Sequence, residues 1–166
     1  VPPADRLRLA YFGEIANAAF ADRLSALVAF HGTDTRRAQD MAWMTHLAGA
    51  NAHYALRNRR PHDGLKPFTK GFVAAHCSSP VLADIRDEEA FLHLTRDYPY
   101  FVDGQTIRSV ASALERLRTG FGGEEWQRAR AIMQRVKLAS DPQAVARRFV
   151  ADLLALDDVA RIRVSG

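Results

Sequence analysis

The sequence is poor in cysteine, in lysine and in long apolar runs. Its one thiol, Cys77, cannot form an internal disulfide bond, which is typical of a protein kept in a reducing compartment. The apolar runs are short and interrupted, and the chain does not start with a basic segment followed by an apolar stretch. We therefore predict a cytoplasmic protein with no signal peptide and no membrane partner.

The composition does not suit a disordered or a fibrous chain either. Of the 166 residues, 48% are hydrophobic and 25% are charged, which are ordinary values for a globular protein. A chain of this length can bury a core without disulfide or metal cross-links, and it usually forms one domain. We predict a single domain over residues 1–166.

Alternation of apolar and polar residues, the pattern of a half-buried β-strand, is also missing, except in the stretch 161–164. Helical spacing dominates instead, and proline, glycine and capping residues mark where helices start and stop. A helix start is also indicated at Ser79-Pro80. The predicted helices cover approximately 3–30, 33–58, 67–77, 87–96, 103–119, 124–138 and 142–156. The sequence thus predicts an all-α fold, a bundle of about six or seven helices.

The net charge is positive and is carried by arginine. Lys and Arg total 23 against 19 Asp and Glu, and the only lysines are Lys66, Lys70 and Lys137. The planar guanidinium group suits phosphate oxygens, although a codon bias towards arginine would give the same excess without any functional meaning. The positions of these charges are therefore more informative than their sum.

Two groups of basic residues lie close together in the chain. One surrounds the predicted loop 58–64. The other lies on the predicted helix 124–138, where Arg130 and Lys137 share one face with Gln134 and where Arg128 and Arg135 are also a heptad apart. Such surfaces can bind a phosphate backbone and release counterions, but an ordinary solvated surface has the same pattern. The candidate nucleic-acid-binding residues are Arg57, Arg59, Arg60, Lys66, Lys70, Arg128, Arg130, Arg135 and Lys137.

The histidines suggest a different site. His46 and His53 are seven residues apart, and on one helix two turns would separate them by about 10 Å, too far for one zinc ion. No HxxxH or HExxH pattern occurs, so no metal site and no cofactor are predicted. The alternative hypothesis is a small helical enzyme or a ligand- or metal-binding protein that uses His46, His53 and His76 around a pocket beside Trp43 and Tyr54.

The spacing of residues in the sequence shows no catalytic motif. No Ser-His-Asp or paired-carboxylate arrangement can be argued, and Gly120-Phe121-Gly122-Gly123 is predicted to be a turn between helices. The protein is accordingly predicted not to be an enzyme.

An arginine-rich, all-α chain with basic helix faces and no catalytic motif resembles the small subunit of multisubunit CRISPR effector complexes. The resemblance concerns the character of the whole chain and assigns no role to any residue. It implies a non-catalytic subunit that binds the backbone of RNA or single-stranded DNA within a ribonucleoprotein assembly, with other protein subunits as partners. A protein-interaction adaptor is a further alternative.

Overall fold

The centre of the structure is a parallel β-sheet, which the sequence did not predict. The computed structural model describes residues 5–34, 41–58 and 66–164. Five parallel strands form the sheet: β1 Leu9–Gly13, β2 Ala29–Gly32, β3 Ala52–Tyr54, β4 Val81–Asp84 and β5 Phe101–Val102. The prediction of an all-α helical bundle is therefore wrong, and the architecture is α/β.

The strand order is β2-β1-β3-β4-β5. The chain first moves outward from β1 to β2, then returns to the other side of β1 and continues through β3 and β4 to β5. The winding therefore reverses between β1 and β3, and two neighbouring connections leave the sheet in opposite directions at this point. Ligand sites of open parallel sheets form in the crevice that such a reversal opens at the carboxyl ends of the strands.

All five strands are short, and β1, β3 and β4 are also buried on both faces, so the sequence did not reveal them. In β1, Leu9 and Tyr11 pack in the main core, whereas Ala10 and Phe12 pack in a second cluster with Trp43. A strand buried on both faces has no polar positions, so it lacks the alternation that would distinguish it from a helix.

The helices that the structure contains lie between and after the strands. They are α1 Ala21–Leu24, α2 Thr69–His76, α3 Glu88–His93, α4 Ile107–Thr119, α5 Glu124–Ala139 and α6 Pro142–Val164. Two 3₁₀ segments, Ile15–Asn17 and Ala42–Gly49, complete the connections.

Helix prediction succeeded in the second half of the chain and failed in the first. The helices predicted at 67–77, 87–96, 103–119, 124–138 and 142–156 correspond to α2 to α6. The predicted helix 3–30 is replaced by β1, a 3₁₀ turn, α1 and β2, and the described part of 33–58 is a 3₁₀ segment followed by β3. Ser79-Pro80 precedes a strand, not a helix. The stretch 161–164 belongs to α6.

The core forms where helices pack on the sheet. Helix α2 contacts β3, β4 and α5, and α4 contacts β5. Three tyrosines, Tyr11, Tyr54 and Tyr100, are among the largest fully buried side chains of this core. Burial of these large side chains holds β1 and β3 side by side, so their carboxyl ends occupy fixed positions.

Within the described ranges, no helix combines the length and the apolar character that a bilayer span requires.

Candidate ligand-binding cavity

A cavity of about 560 Å³ opens at the carboxyl ends of β1 and β3. Its walls come from Tyr11–Glu14, from His53–Ala55 with Arg57, and from the residues that lead into α2. This is the point where the strand order reverses, which is the usual ligand site of an open parallel sheet. Its volume lies within the range of pockets that hold drug-sized ligands.

Lys70 forms part of the basic wall of this cavity. Its Nζ donates a hydrogen bond of 2.6 Å to the backbone oxygen of Phe12 and lies 4.2 Å from the centre of the Tyr11 ring. Burial, together with the nearby positive charge of Arg57, lowers the pKa of Lys70 to about 8. The ammonium group is thus fixed against the carboxyl end of β1 with little solvent to stabilise it.

Gly13 makes room for this lysine. Its φ of +149° is a backbone conformation that other residues rarely adopt, and a Cβ at this position would stand 2.5 Å from Nζ of Lys70. A side chain at residue 13 would therefore strain the backbone and displace the ammonium group.

Contacts between two turns fix the position of Arg57 next to the cavity. Its backbone forms an isolated antiparallel bridge with Ala18, and the amide of Asn58 donates to the carbonyl oxygen of Asn17 at 2.9 Å. The side chain of Asn58 also donates to the carbonyl oxygen of Ala18 at 3.2 Å. The turn after β3 is consequently tied to the turn after β1, and this places Arg57 in the wall beside Lys70.

The start of α2 provides a third positive element. Phe68, at the N-cap, has no side-chain acceptor for the first amides, and no acidic residue lies in the first turn. Pro67, Phe68, Thr69 and Lys70 all line the cavity. The amide of Thr69 donates to the backbone oxygen of Pro67 at 2.7 Å. The amides that follow Thr69 and the positive end of the helix dipole are suited to bind an anion.

Other residues of the lining are acidic or aromatic. Glu14, Asp34 and Asp87 contribute carboxylates, and Phe12 and Trp43 contribute rings 6.1 Å apart. Carboxylates accept hydrogen bonds from hydroxyl groups, and ring faces bind flat apolar groups. The cavity can therefore bind a ligand with an anionic end and a hydroxylated, aromatic end.

His53 lines the same cavity from β3 and is almost completely buried. Burial, and to a lesser extent the charge of Lys70, lowers the pKa of His53 to about 4. Its Nε2 has no hydrogen-bond partner among the described residues. The ring packs 5.2 Å from Phe12, so His53 is a neutral, mostly apolar part of the wall at neutral pH.

The three histidines of the alternative hypothesis do not meet. His46 stacks on His31 with ring centres 4.3 Å apart and does not line the cavity. His76 is exposed on α2, and its Nε2 lies 3.2 Å from the hydroxyl of Ser140. His53 alone of the three lines the cavity, next to Trp43 and Tyr54. Across the described parts of the chain, no group of three His, Cys, Asp or Glu side chains could hold a metal ion.

The candidate nucleic-acid-binding residues that the structure describes lie in two separate places. Those of the first group that the structure describes, Arg57, Lys66 and Lys70, line the cavity. Arg59 and Arg60 lie outside the described residues.

The second group lies on α5 and does not line the cavity. Arg128, Arg130 and Arg135 are exposed there, and Lys137 is half-buried. Nε of Arg130 donates to the backbone oxygen of Ser78 at 3.4 Å. The pKa of Asp97 is lowered mainly by its hydrogen bond with Thr95, and also by the charges of Arg128 and Arg135.

Sequence reasoning missed Gly13, Glu14, Asp34, Phe68 and Thr69. The apolar run Leu9–Phe12 followed by glycine is the signal that could have shown a strand with a functional turn. A helix starting at Pro67 was predicted from the sequence. Because no sheet was predicted, nothing indicated that the start of this helix lies at a ligand site.

No protein-family model matches this chain, and no curated protein matches its sequence. The resemblance to the CRISPR small subunit depended on an all-α character, so it carries no part of the functional argument below. A single domain, a cytoplasmic location and a place in a ribonucleoprotein assembly stay predictions.

Proposed function

We propose that this protein binds a small phosphorylated ligand of the nucleoside diphosphate class in the cavity between β1 and β3. The observation that carries the proposal is the meeting of Lys70, Arg57 and the uncapped start of α2 at the point where the strand order reverses.

The phosphate end of the ligand fits the basic wall. A diphosphate carries several acceptor oxygens, and the wall offers an ammonium, a guanidinium and backbone amides as donors. Lys70 is already held in place by its bond to the oxygen of Phe12, so binding orders little further side-chain motion.

The nucleoside end fits the acidic and aromatic residues of the lining. Glu14 and Asp34 can accept hydrogen bonds from sugar hydroxyls, and the half-exposed ring of Trp43 can stack on a base. A phosphate-only site would need neither group, and this favours a nucleotide over inorganic phosphate.

Isothermal titration calorimetry tests the proposal. The four ribonucleoside diphosphates and inorganic pyrophosphate are titrated into the full chain and into its Arg57→Met and Lys70→Met variants. At least one nucleotide should bind more tightly than pyrophosphate, and each variant should weaken binding at least about tenfold through loss of a charged hydrogen bond. Arg130→Met, on α5, is the matched control and should leave the affinity unchanged. Absence of binding by every nucleotide, or equal loss in the control, contradicts the proposal.

Basic side chains along both edges of the buried stripe of α5, Arg128 and Arg135 near Asp97 and Arg130 and Lys137 near Cys77 and Ser78, favour a second candidate, a backbone-binding surface for RNA or single-stranded DNA. Arg128, Arg130 and Arg135 are exposed on this helix, and Lys137 follows them. If these four side chains contact phosphates, the logarithm of the binding constant should fall with the logarithm of salt concentration with a slope of about −3. Replacing all four with glutamine should abolish binding in fluorescence anisotropy, whereas Arg57→Met and Lys70→Met should not. Equal binding by both sets of variants contradicts this candidate.

A further inference from the structure

Lys70 differs from the other two lysines of the chain in its surroundings. We propose that Lys70 is a nucleophilic amine, and that phosphorylated aldehydes entering the cavity condense with it to form an imine. The preference for a phosphorylated reagent rests on the proposed function, whereas the reactivity of the amine does not.

The geometry presents the amine to the cavity. The side chain starts in the first turn of α2 and reaches back to the carboxyl end of β1, where Phe12 O accepts one of its hydrogens. The Tyr11 ring lies on another side of Nζ, and the missing side chain of Gly13 leaves the space that Nζ occupies. Lys70 itself lines the cavity, so a carbonyl compound of suitable size can approach it.

Burial, and to a lesser extent the charge of Arg57, disfavours the protonated form of Lys70. Arg57, after β3, adds a like charge, and the buried His53 on β3 supplies no negative charge. On the side of β1, Tyr11 keeps its proton because its pKa is raised by burial and by Glu14. Lys70 makes no ion pair with any carboxylate that the structure describes. With its pKa lowered to about 8, roughly half of Lys70 is unprotonated at pH 8.

The condensation needs no additional reactant. The nitrogen lone pair attacks the carbonyl carbon, an N–C bond forms, and the oxygen takes up a proton. The resulting carbinolamine loses one water molecule and becomes the imine. Added borohydride then transfers a hydride to the imine carbon, the nitrogen gains a proton from water, and a stable secondary amine results.

The two other lysines are internal controls. Lys66 is exposed at the same cavity, so a reagent that reaches Lys70 also reaches Lys66. Lys137 lies half-buried on α5 and does not line the cavity. Because these three are the only lysines, peptide mapping assigns each side-chain adduct without ambiguity.

The experiment treats the full chain with pyridoxal 5′-phosphate at pH 8, reduces samples with borohydride at set times and maps the adducts by mass spectrometry. Lys70 should be modified at least about tenfold faster than Lys66 and Lys137, because its pKa of about 8 leaves roughly half of its amine unprotonated at the pH of the experiment. Lys70→Arg should remove this fast adduct, and Lys137→Arg, outside the cavity, should leave it.

A parallel series with pyridoxal, which has no phosphate, separates this inference from the proposed function. Faster labelling by the phosphorylated reagent supports both. Selective labelling of Lys70 at equal rates by the two reagents supports the reactive amine and counts against the phosphate site. Labelling of Lys70 no faster than Lys66 with either reagent overturns the inference, whatever the calorimetric result for nucleotides.

Discussion

Tyr98 and Tyr100 are both buried and only two residues apart, yet their hydroxyl groups differ in what they contact. The hydroxyl of Tyr98 donates to the carbonyl oxygen of Val81 and accepts from its amide, both at 2.8 Å. The hydroxyl of Tyr100 has no hydrogen-bond partner among the described residues. The two side chains are identical and similarly buried. They therefore form a matched pair for measuring how much a hydrogen-bonded buried hydroxyl contributes to the free energy of unfolding.

We expect Tyr98→Phe to lower the free energy of unfolding by about 2–3 kcal/mol, because the variant leaves a buried donor and a buried acceptor of Val81 unsatisfied. Tyr100→Phe removes a group with no described partner and should be neutral or stabilising. Urea denaturation of both variants measures the difference. Equal destabilisation by the two substitutions would show that the hydroxyl of Tyr98 has no special role.

Gly13→Ala should destabilise the fold by about 1–3 kcal/mol, because its φ of +149° strains any other residue. The new Cβ also displaces Nζ of Lys70, so nucleotide binding should weaken in calorimetry. Gly49→Ala is the control, since no atom lies near its added Cβ, and it should stay within about 0.5 kcal/mol of the parent. An unchanged midpoint and affinity for Gly13→Ala would contradict the role given to this glycine.

His53 should make stability depend on pH. Its pKa is lowered from 6.5 to about 4 in the folded chain, so between these values the unfolded chain binds the extra proton. Stability is therefore complete above pH 6.5 and decreases as pH falls, by about 2 kcal/mol between pH 7.5 and pH 5. Lys70 adds only a small change near pH 7.5, because with a pKa of about 8 it is mostly protonated in both states over this window.

The measurement is urea denaturation at several pH values from 7.5 to 5. His53→Leu, which removes the buried imidazole, should flatten the dependence, and the exposed-histidine variant His76→Gln should retain it. A parent protein whose stability is constant over this range would show that folding does not lower the pKa of His53.

At the scale of elements, prediction succeeded where the signal is local. Helix α5 was predicted at 124–138 and forms at Glu124–Ala139, because Trp126 and Met133 repeat at helical spacing and two glutamates lie at its start. Parallel strands have no comparable signal, since each pairs with residues far away in the chain. The three residues of β3, Ala52–Tyr54, are too few to show any period.

The start of α4 illustrates a smaller error of the same kind. The helix predicted over 103–119 puts Asp103 at its start, as the cap, but the hydroxyl of Thr106 accepts from the amide of Ser109 and caps α4 instead. The carboxylate of Asp103 accepts from the amide of Gln105 and lies 3.8 Å from Arg86. The position of a cap is ambiguous from sequence where several neighbouring residues can accept hydrogen bonds.

We expect Thr106→Ala to lower the free energy of unfolding by about 1 kcal/mol through loss of the cap. Asp103→Ala, which removes an exposed turn contact, should have a smaller effect of a few tenths of a kcal/mol. Thermal and urea denaturation of the two variants give the comparison. A larger effect at Asp103 than at Thr106 would show that Asp103 caps the helix, as the sequence predicts.

At the scale of the whole molecule, the sheet joins two hypotheses that the sequence kept apart. Arg57 and Lys70 were chosen as part of a nucleic-acid surface, and His53, Trp43 and Tyr54 as part of a pocket. The reversal of strand order brings all five to one cavity. No local pattern could reveal this meeting, because it depends on β3 pairing with β1 across about forty residues of chain.

The most direct test of this account is a ¹H–¹⁵N NMR titration of the full chain with the nucleoside diphosphate that binds most tightly. The account predicts that the amide shifts concentrate at Gly13, at Arg57 and at Thr69–Gly71, and that they saturate together at the affinity measured by calorimetry. Shifts confined to Arg128–Lys137 on α5, with the cavity amides unchanged, would contradict it.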